Sequence, residues 1–130
     1  MTTTSPFQIK RVYEPVSPAD GARYLVDRLW PRGLNKTSLM LTAWLTEVTP
    51  SPSLRREYHR HVVLWPEFQQ RYRDELQAKP SVLLTLMDGA SAGPVTLLYA
   101  SRDLECNHAV VLKAFLDSQW AAQATQRPTT

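Results

Sequence analysis

One cysteine, Cys106, and four glycines are all that 130 residues hold of these two types, and each shortage removes a class of protein. A lone thiol cannot build an internal disulfide framework, which excludes the small cystine-stapled secreted folds. Gly21, Gly33, Gly89 and Gly93 form neither a Walker loop nor a dinucleotide fingerprint, so no cofactor is expected. The longest apolar pieces, Val82 to Met87 and Val95 to Ala100, fall far short of a bilayer span. No charged start followed by an apolar run marks a secretory leader, so a cytoplasmic location without membrane contact is expected.

The chain is richer in proline, with ten, and in cations, with 15 Lys and Arg against 12 Asp and Glu. The excess is mild and suits an anionic small ligand or nucleic acid without requiring either. The length, with 43% hydrophobic residues, fits a single α/β domain over 1–130, its core from about 7 to 118 and its ends, 1–6 and 121–130, loose.

Periodicity supplies the elements. Phe7 to Tyr13 alternates as a first strand, and Glu14 to Gly21, with two prolines and Asp20-Gly21, reads as a loop. Arg23 to Trp30 is strand-like and closed by Pro31 and Gly33, while Lys36 to Leu41 has room for one helical turn. Ala43 to Val48 alternates weakly and meets Thr49-Pro50-Ser51-Pro52, where Ser51 suits a helix cap and Pro52 the first helical position. Helices are then expected from Ser53 to His59, from Pro66 with an inward stripe of Trp65, Phe68, Tyr72 and Leu76, and from Pro80 through Met87, stopped by Asp88-Gly89 and the loop Ser91 to Gly93. Pro94 to Ala100 is continuously apolar and rich in β-formers, as in a parallel strand buried on both faces. A last helix is expected from about Leu104 to Trp120, with Ala109, Leu112, Phe115 and Leu116 inward. The alternation predicts a small three-layer α/β domain, a short, mostly parallel sheet flanked by helices.

The chemistry gathers in the turns after the strands. Arg28 and Arg32 straddle a forced turn, and planar, permanently charged guanidinium groups need an anion to answer them. Internal acids, Asp27, Glu47 or Asp103, are one answer; a ligand carboxylate or phosphate is the other. In a parallel sheet the loop residues Arg28, Arg32, Lys36, Ser51, Arg55, Ser101, Asp103 and Asn107 converge at one edge, where helix starts near Ser51 and Asp103 add free backbone N–H groups. The expected site binds a nucleotide or other phosphorylated ligand through Arg28, Arg32, Lys36, Ser51 and Arg55, oriented by Tyr99, Asp103 and Asn107. If hydrolysis or group transfer occurs there, Asp103 is the candidate general base.

Three competing readings are weighed beside it. His59-Arg60-His61 and Cys106-Asn107-His108 hold metal-binding side chains, yet residues two apart on a helix diverge, and no metal site is expected. Cys106 near a helix start is a possible nucleophile, but no base is fixed beside it. Arg55, Arg56, Arg60, Arg71 and Arg73, interleaved with Tyr58, Trp65 and Tyr72, suit a non-catalytic nucleic-acid or protein partner; the interspersed Glu57, Glu67, Asp74 and Glu75 suit a solvated face.

Arg11-Val12-Tyr13, Asp20-Gly21, Leu25 to Gly33 with Lys36, Trp44, Pro50-Ser51, Leu54-Arg55, Phe68, Arg71-Tyr72, Glu75-Leu76, Val95 to Ala100, Asp103, Asn107 and Val111-Leu112 together resemble the YeaO-like bacterial family, domain of unknown function 488. The string Val26-Asp27-Arg28-Leu29-Trp30-Pro31-Arg32-Gly33 is the most specific part, and the likeness spans about residues 9 to 117. It implies a small cytosolic α/β domain and leaves the biochemical role open. The chain departs from the family pattern at Arg60-His61-Val62, where a His-Asp-Pro is usual before the tryptophan matching Trp65, which weakens a catalytic or metal role for that segment.

Overall fold

The computed structural model describes residues 5–126. Its strands, β1 (Phe7–Arg11), β2 (Ala22–Leu25), β3 (Ala43–Trp44) and β4 (Val95–Tyr99), form one parallel sheet in the order β1-β4-β2-β3. The helices are α1 (Lys36–Leu39), α2 (Pro52–His59), α3 (Trp65–Gln77), α4 (Pro80–Ala92) and α5 (His108–Gln126), with 3-10 turns at Pro18–Asp20 and Thr46–Val48. The small α/β fold expected from the alternation is the one observed.

The apolar run of β4 follows from its place, because all five of its residues are buried between β1 and β2. Alternate side chains then serve two cores. Val95, Leu97 and Tyr99 join Phe7, Tyr24 and Val26 beneath the four long helices. Leu98 joins Val12 and Leu25 on the other face, which the excursion between β2 and β3 covers with Leu39 of α1, Trp30, Leu34 and Leu41. The third layer is therefore thin, mostly loop. Its lower half is polar: Asp20 pairs with Arg23 at 2.5 Å and Lys10 at 3.0 Å, while Thr96 donates to the Asp20 carbonyl at 2.7 Å. Gly21 closes this corner at φ +64°, where a Cβ would stand 2.2 Å from the Pro94 carbonyl oxygen, so no other residue fits.

Several boundaries differ from the sequence expectation. The first strand ends at Arg11, two residues before Tyr13. The second runs from Ala22 to Leu25 rather than Arg23 to Trp30, since beyond Val26 side chains take over the ladder. The third is only Ala43–Trp44, because the chain tightens into the 3-10 turn at Thr46–Val48. Helix α4 passes through Asp88-Gly89 and Ser91 to Ala92; Gly89 there lies against the Tyr24 hydroxyl, which a Cβ would meet at 2.7 Å. Helix α5 starts at His108, not Leu104, because the Asp103 side chain holds the preceding amides in a turn. It continues to Gln126, past the expected loosening at Ala121; residues 1–4 and 127–130 lie outside the described residues. The Ser51 cap and Pro52 start of α2 are as expected, as is the buried stripe of α3. Among the described residues no helix is long and apolar enough to cross a membrane.

Candidate functional site

Parallel strands deliver their following turns to one edge of the sheet, and a cleft of about 450 Å³ opens there. Its walls come from Tyr13 after β1, Asp27 to Arg32 after β2, Thr49 and Pro50 ahead of α2, Ala100 and Ser101 after β4, and Cys106 to His108 at the start of α5. Arg55, Tyr58 and His59 of α2 and Phe68 of α3 close it. The volume lies in the range typical of small-molecule sites.

Three of the predicted cations meet in this cleft. Arg28 donates from Nη2 to the Pro50 carbonyl at 3.3 Å, and its Nε is sealed from solvent with no hydrogen-bond partner. Arg32 is exposed, and its backbone carbonyl accepts from the Tyr13 hydroxyl at 3.1 Å; Arg55 is half-buried on the first turns of α2. Among the described residues none of the three has an acidic partner, whereas Lys10, Arg23, Arg71 and Lys113 are each ion-paired. The internal counter-ions considered, Asp27, Glu47 and Asp103, pair with none of the three. Arg28 and Arg55, partly removed from water without a carboxylate, leave a positive potential in a site of lowered dielectric, and exposed Arg32 adds to it.

Other predicted residues are placed differently. Ser101 and Asn107 line the cleft, but Asn107 is 4% exposed and already engaged, donating to the Asp103 carbonyl at 2.8 Å and accepting from Val110 N at 3.0 Å. Lys36 sits exposed on α1, outside the lining. Ser51 also lies outside it: the hydroxyl accepts from Leu54 N at 3.2 Å and donates to Glu75 at 2.6 Å. Tyr99 is buried beneath the cleft, its hydroxyl pushed up from the ordinary tyrosine range by burial and by Glu14. Asp103 is exposed and not among the lining residues. Its carboxylate accepts from Cys106 N at 2.8 Å and Glu105 N at 3.0 Å, and these bonds hold it below the usual carboxylate range.

Cys106 does line the cleft, but burial, with Asp103 and Glu105 nearby, raises its thiol above the ordinary value and keeps it protonated. Among the described residues no three His, Cys, Asp or Glu side chains come together as a metal site. On the α2–α3 face, Arg71 already pairs with Glu57 at 2.8 Å and lies 3.8 Å from Glu67.

The sequence reading overlooked one pair. Continuing the register of β2 and β4 would bring Ala100 N onto the Val26 carbonyl. Instead Asp27 Oδ2 accepts from Ala100 N at 2.9 Å, and His108 Nε2 lies 2.7 Å from the Val26 carbonyl. The same Nε2 is 3.0 Å from Asp27 Oδ1, close enough for charge attraction but outside hydrogen-bond geometry. By sequence alone Asp27 is a counter-ion candidate for the arginines and His108 a metal-binding side chain. Their spacing of 81 positions carries no local signal, and only the parallel pairing joins them. Beside them Tyr58 and Phe68 stack with ring centroids 4.5 Å apart.

The chain is 46% identical over 111 residues to the uncharacterized protein YeaO of Escherichia coli K12, covering 85% of this chain and 96% of that one. It is 37% identical over 113 residues to the uncharacterized proteins Rv3073c of Mycobacterium tuberculosis H37Rv and Mb3100c of Mycobacterium bovis, covering 86% of this chain and 94% of each. No solved structure matches. Residues 6–130 match the family described as the inactive DUF488-N3 subclade, and the chain therefore belongs to the YeaO-like DUF488 family.

Proposed function

We propose that this protein is a binding module for a small anionic ligand, a nucleotide or other phosphorylated metabolite, held in the cleft by Arg28, Arg32 and Arg55 and released unchanged. One observation carries the reading: three guanidinium groups border one cleft, and among the described residues none of them has a carboxylate partner there. Arginine forks match phosphate oxygens bidentately, and the partly desolvated setting strengthens the attraction. Lys36 extends the positive field from outside the cleft, and Ser51 sets the start of α2, from which Arg55 projects.

Two observations speak for binding without turnover. The general base considered, Asp103, has its carboxylate occupied by two backbone amides at the rim of the turn, and the matching subclade is described as inactive. A nucleic-acid partner on the α2–α3 face is the competing reading: Arg71 there is answered by Glu57, while Arg56, Arg60 and Arg73 have no acidic partner among the described residues.

Isothermal titration with inorganic phosphate and with adenosine 5′-monophosphate tests the reading. Binding by the wild type that weakens about tenfold or more in Arg55→Ala and Arg32→Ala is expected, from the loss of a charge-assisted bond. Absence of binding, or equal affinity in both variants, overturns it.

A further inference from the structure

His108 gives the cleft a second kind of chemistry. A carbonyl oxygen only accepts, so the 2.7 Å contact with Val26 puts the ring hydrogen on Nε2. Asp27, itself fixed by Ala100 N, stands 3.0 Å from the same nitrogen, beside the Val26 carbonyl. The remaining nitrogen, Nδ1, makes no hydrogen bond to any described residue and is not among the buried polar atoms left without a partner. It is therefore not sealed from solvent, on a ring that lines the cleft. In the neutral imidazole Nδ1 is an acceptor, set in the same cleft as the arginine donors.

An anion alone cannot use an acceptor. We infer that His108 is a specificity-determining residue and that the ligand is a hydroxylated phosphate ester, a sugar phosphate either free or as the ribose phosphate of a nucleotide. The phosphate lies with the arginines and a sugar hydroxyl donates to Nδ1. This rests on the anion-binding reading above and adds the second recognition element. Asp27 acts through the ring as a positioning residue.

The test compares three probes at pH 8, where a phosphate monoester, with its second ionisation near 6, has no acidic hydrogen left. Methyl phosphate offers the anion alone, ribose 5-phosphate adds hydroxyls, and adenosine 5′-monophosphate adds the base. Ribose 5-phosphate should bind the wild type about five- to tenfold more tightly than methyl phosphate, and His108→Ala should bring that ratio to near one. In the wild type, long-range ¹⁵N NMR should show the His108 Nδ1 resonance move with ribose 5-phosphate and stay with methyl phosphate, a readout that stands even if the variant folds poorly. Tighter binding of adenosine 5′-monophosphate than of ribose 5-phosphate identifies the nucleotide as the source of the sugar phosphate; equal binding identifies the free sugar phosphate. Equal affinity for methyl and ribose phosphates with a still Nδ1 resonance overturns the role of His108 and leaves the arginine site standing. Failure of all three probes to bind overturns both.

Discussion

His108 Nε2 occupies the acceptor, the Val26 carbonyl, that Ala100 N would take if β2 and β4 continued to pair, and Asp27 receives Ala100 N in its place. Two side chains thereby end the ladder and open the sheet edge into a cleft. Asp27→Ala should leave Ala100 N without its acceptor and loosen His108, lowering stability by about 1–3 kcal/mol. Asp27→Asn keeps an oxygen for Ala100 N and should lose clearly less. Urea unfolding of the two variants measures the difference, and equal losses would show that the Ala100 bond is not what holds the turn.

The Asp20 cluster predicts an acid-side stability change. Burial pushes the Asp20 carboxyl up, but the hydrogen bonds from Ser17 N, Lys10 and Arg23 and the charge of Lys10 together outweigh it, and the net shift is downward. A carboxyl lowered by folding stabilises above its unfolded value, near 3.9, and that contribution is lost as the pH falls through the folded value. Stability should therefore fall as the pH drops below about 4, and Asp20→Asn should flatten that slope. At pH 7 the same substitution should cost on the order of 3 kcal/mol, because Arg23 is left buried without its counter-charge. Denaturant midpoints from pH 2 to 7 check both.

Cys106 should be a slow thiol. Burial and the neighbouring Asp103 and Glu105 hold it protonated, so iodoacetamide at pH 8 should alkylate the native chain several-fold more slowly than the urea-unfolded chain. Faster reaction in the native state would reinstate the nucleophile reading.

Much of the scaffold was legible because its signals are local. Ser51 before Pro52 marks the start of α2, the Phe68, Tyr72 and Leu76 spacing marks the buried face of α3, and the unbroken apolar run marks β4 as central. Misplaced boundaries have tertiary causes. Gly89 looks like a helix stop, but in α4 it is the residue small enough to pass the Tyr24 hydroxyl. Leu25 to Trp30 has the composition of a strand, yet Asp27 and His108 divert its hydrogen bonds from 81 residues apart. Arg23 sits within an apolar stretch and is 3% exposed, paired with an aspartate three residues back that belongs to the preceding turn. At the cleft, the arginines were readable from Pro31 and Gly33, which force the turn that carries Arg28 and Arg32. Lys36 and Ser51 were not excluded by any local rule; the length of the excursion and the reach of Glu75 remove them from the lining.

The unpaired arginines are tested most directly by thermal unfolding in increasing phosphate. A ligand at a hundredfold above its dissociation constant stabilises by about 2.7 kcal/mol, a rise on the order of 10 °C for a domain of this size. The wild type should show a rise that grows with the logarithm of phosphate concentration, and the Arg32→Ala, Arg55→Ala double variant should lose most of it. A melting temperature unmoved by phosphate, or one that rises equally in the double variant, would contradict an anion site at this cleft.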